Sequence, residues 1–302
     1  MKMSLLVLGT VALDDVKTPC GIRNNMLGGS ASHFSMAARL FTKVNLVAIV
    51  GSDFPKKYFR FFEDKGIDVS SLHRAEGKTF HWEGEYKKED LNKALTIATE
   101  IGVLTTNFIP RITDAQRRIP YVFLANIDPE IQLELLRLVR TQKLVGVDSM
   151  NLWINIKRKP LEKLLKKVDL FVANDGEARL LSGENNLIRA AKYLRNMGPK
   201  FVVVKKGEHG VLFFSDRFMF SFPAYPIERV VDPTGAGDTF AGGLMGYLAK
   251  AGRINEMAFK RAVLYATTIA SFNVQGFGVT KTENLTMPVV NGRLKELIKF
   301  IS

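Results

Sequence analysis

A single cysteine, Cys20, occurs in the 302 residues. One thiol closes no internal disulfide and builds no cysteine metal cluster, which agrees with a reducing compartment, so the expected location is the cytoplasm. Long apolar runs are also missing. The most apolar stretch, residues 240–249, is about half of the roughly 20 residues that a bilayer crossing needs. Met1-Lys2-Met3-Ser4 leads into a strand pattern rather than a signal peptide, and no membrane partner is expected. A basic tail is lacking too. The net charge of +13 comes from 43 basic and 30 acidic residues, but the basic residues are spread as pairs, with only Lys157-Arg158-Lys159 as a run of three. That distribution argues against nucleic acid and leaves an anionic small molecule as the reason for the excess.

Several nucleotide and hydrolase motifs are absent as well. Gly77-Lys78-Thr79 would end a phosphate-binding Walker loop, but residue 72 is Leu where that loop needs Gly. Gly235 and Gly237 could begin a dinucleotide fingerprint, yet its third glycine position is Phe240. Neither His-Glu-x-x-His nor Gly-x-Ser-x-Gly occurs. Dehydrogenase, protease and esterase readings therefore fall. There is no internal repeat and no low-complexity segment.

What is present is an average globular composition, 46% hydrophobic and 24% charged, long enough for one large or two smaller domains. Ser4–Gly9 and Val44–Val50 are continuous apolar runs, the pattern of strands buried on both faces, and a helical spacing of apolar residues lies between them over 30–41. Asp53-Phe54-Pro55 is expected to cap a helix through Phe62 that Gly66 ends. From residue 121 strands at 121–125, 144–147, 170–173 and 201–204 alternate with helices at about 129–141, 160–167, 176–182 and 186–197. A hairpin at 211–222 and helices at about 238–250, 255–272 and 292–301 follow. Strands alternating with helices imply a three-layer α/β fold with a mostly parallel central sheet. Segments 10–25 and 77–118 break the alternation and are expected to form a small lid over the C-terminal edge of the sheet, where open α/β sheets bind ligands. Phe80, Trp82 and Tyr86 share one face of a strand at a period of two. That face is expected to close over substrate or to pack against the lid of a second copy in a homodimer.

The chain is organised around Asp232-Pro233-Thr234-Gly235-Ala236-Gly237-Asp238-Thr239-Phe240. Two glycines one residue apart let the backbone turn sharply and approach a ligand. Apolar residues at 240, 244, 247 and 248 open a helix directly behind them. The first N–H groups of that helix, with its dipole, make a site for a transferring phosphate.

This string resembles the C-terminal signature of the ribokinase-like (PfkB) family of carbohydrate and nucleoside kinases. The resemblance implies one ribokinase-like kinase domain over residues 1–302 with a small β lid. It also implies Asp238 as the base that takes the proton of the substrate hydroxyl, and Gly235, Ala236 and Gly237 as the anion hole. Gly28-Gly29-Ser30-Ala31-Ser32-His33 resembles the family's first signature, with His33 where relatives carry Asn. Gly28, Gly29 and His33 are thereby expected at the substrate. Asp14 stands where the family's aspartate holds sugar hydroxyls, with Asp15 next to it in competing register. Asn174-Asp175-Gly176-Glu177 resembles the Asn-x-x-Glu motif, which implies Asn174 at the nucleotide and Glu177 holding Mg²⁺ through water. Lys205, Gly207 and Asn273 fall at the positions on the ATP side. Asp148-Ser149-Met150-Asn151 lacks the Asn and Arg of the Asp-x-Asn-x-Arg element that marks some sugar-acid and fructose kinases.

The implied cofactors are ATP, Mg²⁺ and, by the same resemblance, a monovalent cation. The implied reaction is phosphorylation of a hydroxyl of a sugar-like small molecule. A sugar acid or keto-sugar acid is favoured, because of the positive charge, of His33, and of Lys78, Arg111, Arg117 and Arg118 in or beside the lid. A nucleoside kinase and a non-catalytic sugar sensor are the alternatives.

Overall fold

The computed structural model describes residues 4–105, 108–140 and 142–302. In chain order, β1 (Ser4–Leu8) is followed by the hairpin β2 (Ala12–Thr18) and β3 (Gly21–Gly28), then α1 (Ser30–Ala38), β4 (Lys43–Val50), α2 (Lys56–Asp64) and β5 (Ile67–Arg74). A second hairpin, β6 (His81–Lys87) and β7 (Asp90–Glu100), precedes β8 (Tyr121–Leu124), α3 (Pro129–Leu138), β9 (Leu144–Asp148), α4 (Asn151–Ile156) and α5 (Arg158–Leu165). The chain continues through β10 (Leu170–Asn174), α6 (Asp175–Ser182), α7 (Leu187–Asn196), β11 (Phe201–Lys205), β12 (Val211–Ser215) and β13 (Met219–Phe222). It closes with α8 (Ala236–Ala251), α9 (Glu256–Asn273) and α10 (Met287–Ile301).

Nine strands form one sheet in the order β13-β12-β11-β10-β9-β8-β1-β4-β5. Its pairings are parallel from β11 to β5, and β12 and β13 add an antiparallel edge. The apolar runs belong to strands with helices on both faces. Leu5 and Val7 of β1 enter one core together with Phe34 of α1, Leu244 of α8 and Phe259 of α9. Leu6 and Leu8 enter the opposite core with Leu135 of α3, Leu161 of α5 and Leu194 of α7. Every second side chain thus changes layer, so a strand buried on both sides reads as a continuous apolar run. The three-layer α/β expectation holds.

β3, β2, β6 and β7 form a separate four-stranded sheet in that order. Its hairpins are antiparallel, and β2 and β6 are joined in parallel between them. This is the expected lid, with one correction: residues 101–118 leave it. Val103, Phe108 and Ile119 are buried in the core beside α3 and β8, so this segment belongs to the main body; residues 106 and 107 of it lie outside the described residues.

Other boundaries moved for local reasons. Asp53 does not cap α2, whose N-cap is Pro55; its Oδ1 accepts from the Thr79 N–H at 2.8 Å and from the Thr79 hydroxyl at 2.6 Å. β5 was missed because an edge strand carrying Asp68, Ser70, Ser71 and His73 has no apolar run. α3 ends at Leu138, and residue 141 of the expected helix lies outside the described residues. No helix among the described residues is long and apolar enough to cross a membrane.

Candidate functional site

The carboxyl ends of the parallel strands and the lid enclose a cavity of about 1880 Å³. Asp14, Gly29, His33, Asn174, Glu177, Lys205, Gly207 and the loop 233–238 all line it. The motifs separated along the sequence therefore meet in one place.

Gly235 is the N-cap of α8 in the left-handed conformation (φ 71°), and Asp238 lies in the first helical turn. A Cβ at residue 235 would overlap the His33 ring, so both backbone angle and space demand glycine. The loop is held from below by Asp232, which is fully buried. Its Oδ1 accepts from the Thr234 N–H at 2.8 Å and its Oδ2 from the Gly278 N–H at 3.0 Å. The expected trio of anion-hole donors needs one correction. The Ala236 N–H is spent on Pro233 O at 3.2 Å. Those of Gly235, Gly237 and Asp238 have no acceptor among the described residues, and they are the donors free to meet an anion.

Asp14 lines the cavity and Asp15 does not. Asp15 instead accepts from the Asn25 N–H at 2.7 Å and lies 3.5 Å from His81. Asp14 Oδ2 accepts from the Gly29 N–H at 3.3 Å, whereas Oδ1 is buried without a partner. Burial, with smaller contributions from Asp232, Asp238 and Asp15, raises the Asp14 carboxyl to about 7 against the Gly29 hydrogen bond. An acceptor so placed suits a substrate hydroxyl. Gly28 lies behind it rather than on the cavity: a Cβ there would overlap the Asp14 carboxylate.

Asn273 is also corrected. It is fully buried and does not line the cavity. Its Nδ2 donates to Thr234 O at 2.8 Å, so its Oδ1 must accept, from Thr239 Oγ1 at 3.0 Å and from His33 Nδ1 at 3.1 Å. His33 thus carries its proton on Nδ1 toward Asn273, and its buried Nε2 has no partner. Ala270, Ser271 and Val274, neighbours of Asn273, do reach the cavity wall.

At the other end of the loop, Asn174 and Glu177 form a capping box on α6. Asn174 Oδ1 accepts from the Glu177 N–H and Glu177 Oε2 from the Asn174 N–H, both at 2.7 Å. The cap orients Glu177 while leaving it on the cavity wall. Lys205 ends β11 with its Nζ 2.6 Å from where a Gly237 Cβ would lie. Asp148, at the end of β9, is buried and does not line the cavity, and the sequence assigned it no role. Burial, and then the charge of Asp238, pushes its carboxyl well above the usual range despite Lys205, and its Oδ1 has no partner. Burial likewise raises Glu177, with Lys205 opposing. Asp148 and Glu177 thus share one lysine, and the charge of Asp238 raises both. This surplus of carboxyls suits a divalent cation brought with phosphates. Among the described residues no three His, Cys, Asp or Glu side chains converge on one metal position.

Of Lys78, Arg111, Arg117 and Arg118, expected to receive an acidic substrate, none lines the cavity, although His33 does. Lys78 pairs with Glu100 at 3.7 Å and Arg117 with Asp114 at 3.6 Å. Phe80, Trp82 and Tyr86 do line it, so the lid's apolar face is turned to the cavity.

The family model of the pfkB family carbohydrate kinases matches residues 9–286. The chain is 34% identical to a cytidine kinase of Thermococcus kodakarensis over 252 residues, 81% of this chain and 88% of that one. In fold it is similar to the Methanocaldococcus jannaschii nucleoside kinase, with a TM-score of 0.76, 22% identity and coverage of 98% and 99% of the two chains. It is also similar to a candidate ribokinase II from E. coli solved with ATP and Mg²⁺, with a TM-score of 0.79, 18% identity and coverage of 97% and 99%. A glycine loop at the start of α8, a first signature and a lid that meet on one cavity, together with a family match over nearly the whole length, make this chain a member of the pfkB family of carbohydrate kinases.

Proposed function

We propose that the chain is a nucleoside kinase that transfers the γ-phosphoryl group of ATP to a hydroxyl of the nucleoside sugar. The cavity carries this reading. At about 1880 Å³ it exceeds the roughly 300–1000 Å³ of a site for one small ligand and has room for two. One part of its wall, Leu104, Phe108, Ile127, Ile131, Met150 and Trp153, is apolar and aromatic, which suits a heterocyclic base better than a sugar alone. The cytidine kinase likeness points the same way. An acidic sugar would need a buried cation to pair its carboxylate. Lys157, on the same wall, is already paired with Asp128 and Glu130.

Asp238 takes the proton of the attacking hydroxyl, and Asp14 accepts from neighbouring hydroxyls of the sugar. The Gly235, Gly237 and Asp238 N–H groups, with Lys205, receive the transferring phosphoryl. The chain thereby supplies positioning and charge stabilisation, which are most of what phosphoryl transfer asks. Mg²⁺ would neutralise phosphate charge, held through water by Glu177. A coupled ADP-release screen of nucleosides, neutral sugars and their onate or ketonate partners tests the reading. Nucleosides are expected to give the highest kcat/KM. A sugar or sugar acid that exceeds every nucleoside refutes it, and no turnover with any acceptor would favour the sensor.

A further inference from the structure

Thr234 is gripped from three directions. Its N–H goes to Asp232 and its carbonyl receives Asn273, both from the main body. Its hydroxyl goes to the lid, donating to the Tyr86 hydroxyl at 3.3 Å. Tyr86 lies on β6 and is 9% exposed. Burial, followed by the charges of Asp232, Asp14 and Asp238, pushes its phenol far above the ordinary value. It is therefore a neutral hydroxyl standing among the carboxyls of the transfer site, and Thr234 is the residue before Gly235. A second seat lies farther along the same hairpin. Asn92 of β7 packs so closely on Gly207 that a Cβ at residue 207 would overlap its side-chain amide. One lid hairpin thus touches both the anion-hole loop and the glycine turn on the nucleotide side.

We propose that Tyr86 is a positioning residue for phosphoryl transfer, the lid's half of a latch whose other half is the Thr234 hydroxyl, so that closing the lid and setting the anion-hole loop are one event. With the lid raised, the Thr234 hydroxyl turns to water and the loop loses its third support. With the lid shut, Thr234 is fixed at N–H, carbonyl and side chain, and the adjoining Gly235 N–H is held for the phosphoryl group. An acceptor that fills the cavity and stabilises the closed lid would therefore also order the anion hole.

The inference rests on the kinase reading. Its test is a double-mutant cycle of Tyr86→Phe, Thr234→Val and the pair, each nearly isosteric, assayed with the acceptor that the unmodified chain turns over fastest. Each single change is expected to lower kcat about five- to tenfold, the worth of one neutral hydrogen bond, with KM for ATP nearly unmoved. The pair is expected to lose no more than either alone, and Thr234→Ser to recover part of the loss. A Tyr86→Phe variant with undiminished kcat, or losses that multiply in the pair, would overturn the latch. If the unmodified chain turns over no acceptor, the kinase reading has failed on its own. The same cycle read from thermal unfolding then decides the latch, for which non-additive losses speak and additive ones speak against.

Discussion

Replacing Asp14 by Asn separates a stability effect from a binding effect, and pH exposes both. In the folded chain the carboxyl is raised from 3.8 to about 7. Between these values the folded state keeps a proton that the unfolded state releases. Stability therefore falls as pH rises through the window, and the loss is complete above about pH 7. At 1.36 kcal/mol per pH unit the charge costs at most about 4 kcal/mol, an upper bound because water can follow the charge into the cavity. Asn has nothing to titrate, and its Oδ1 can still accept from the Gly29 N–H. The Asp14→Asn variant should gain on the unmodified chain from about pH 4 to about pH 8, measured as urea-unfolding free energies. Binding moves the opposite way. An acceptor hydroxyl donates best to a carboxylate, so KM for the acceptor should fall as pH rises toward about 7. The Asn variant should lose this dependence together with about 10- to 100-fold in kcat/KM, the range for a hydrogen bond to a charged group. An unfolding difference that does not change with pH would refute the reasoning about the buried charge.

Two other substitutions address the loop. Asp238→Asn should keep ATP binding by calorimetry yet lower kcat by roughly 10²–10⁴, the usual worth of a positioned base; near-normal turnover would remove Asp238 from that role. Gly235→Ala should destabilise by about 2–5 kcal/mol, summing a left-handed backbone with the overlap on His33. Adding His33→Ala should return the steric part only, and a Gly235→Ala protein that melts at the original temperature would contradict the geometry.

How far the sequence spoke depended on whether the relevant contacts were local. The 232–240 string was legible because glycine turn, helix start and acidic residue are consecutive, so their joint placement follows from chain geometry alone. The double-faced strands were legible for the same reason: each apolar run carries its own burial. β5 was not, because an edge strand is defined by its neighbour β4 and not by its own composition. Asp148 ends a legible strand, but the charges that act on its carboxyl, those of Asp238, Lys205 and Glu177, come from other elements of the fold. The resemblance implies Ala236 as a donor, but its N–H makes a turn hydrogen bond to Pro233 O. Asn273 was placed in the right neighbourhood but facing the wrong way, since nothing in Ala270-Ser271-Phe272-Asn273 says which side of α9 meets ATP.

The inward turn of Asn273 bears on how the protein is made. Its amide joins the end of α9 to α1 at His33, 240 residues earlier in the chain, and to the loop at Thr234. On the ribosome, every strand of the main sheet has been synthesised before residue 273 emerges, yet the Thr234 carbonyl still lacks its amide donor and the His33 imidazole still lacks its proton acceptor. The anion-hole loop and the imidazole thus gain these two hydrogen bonds only after residue 273 has been made.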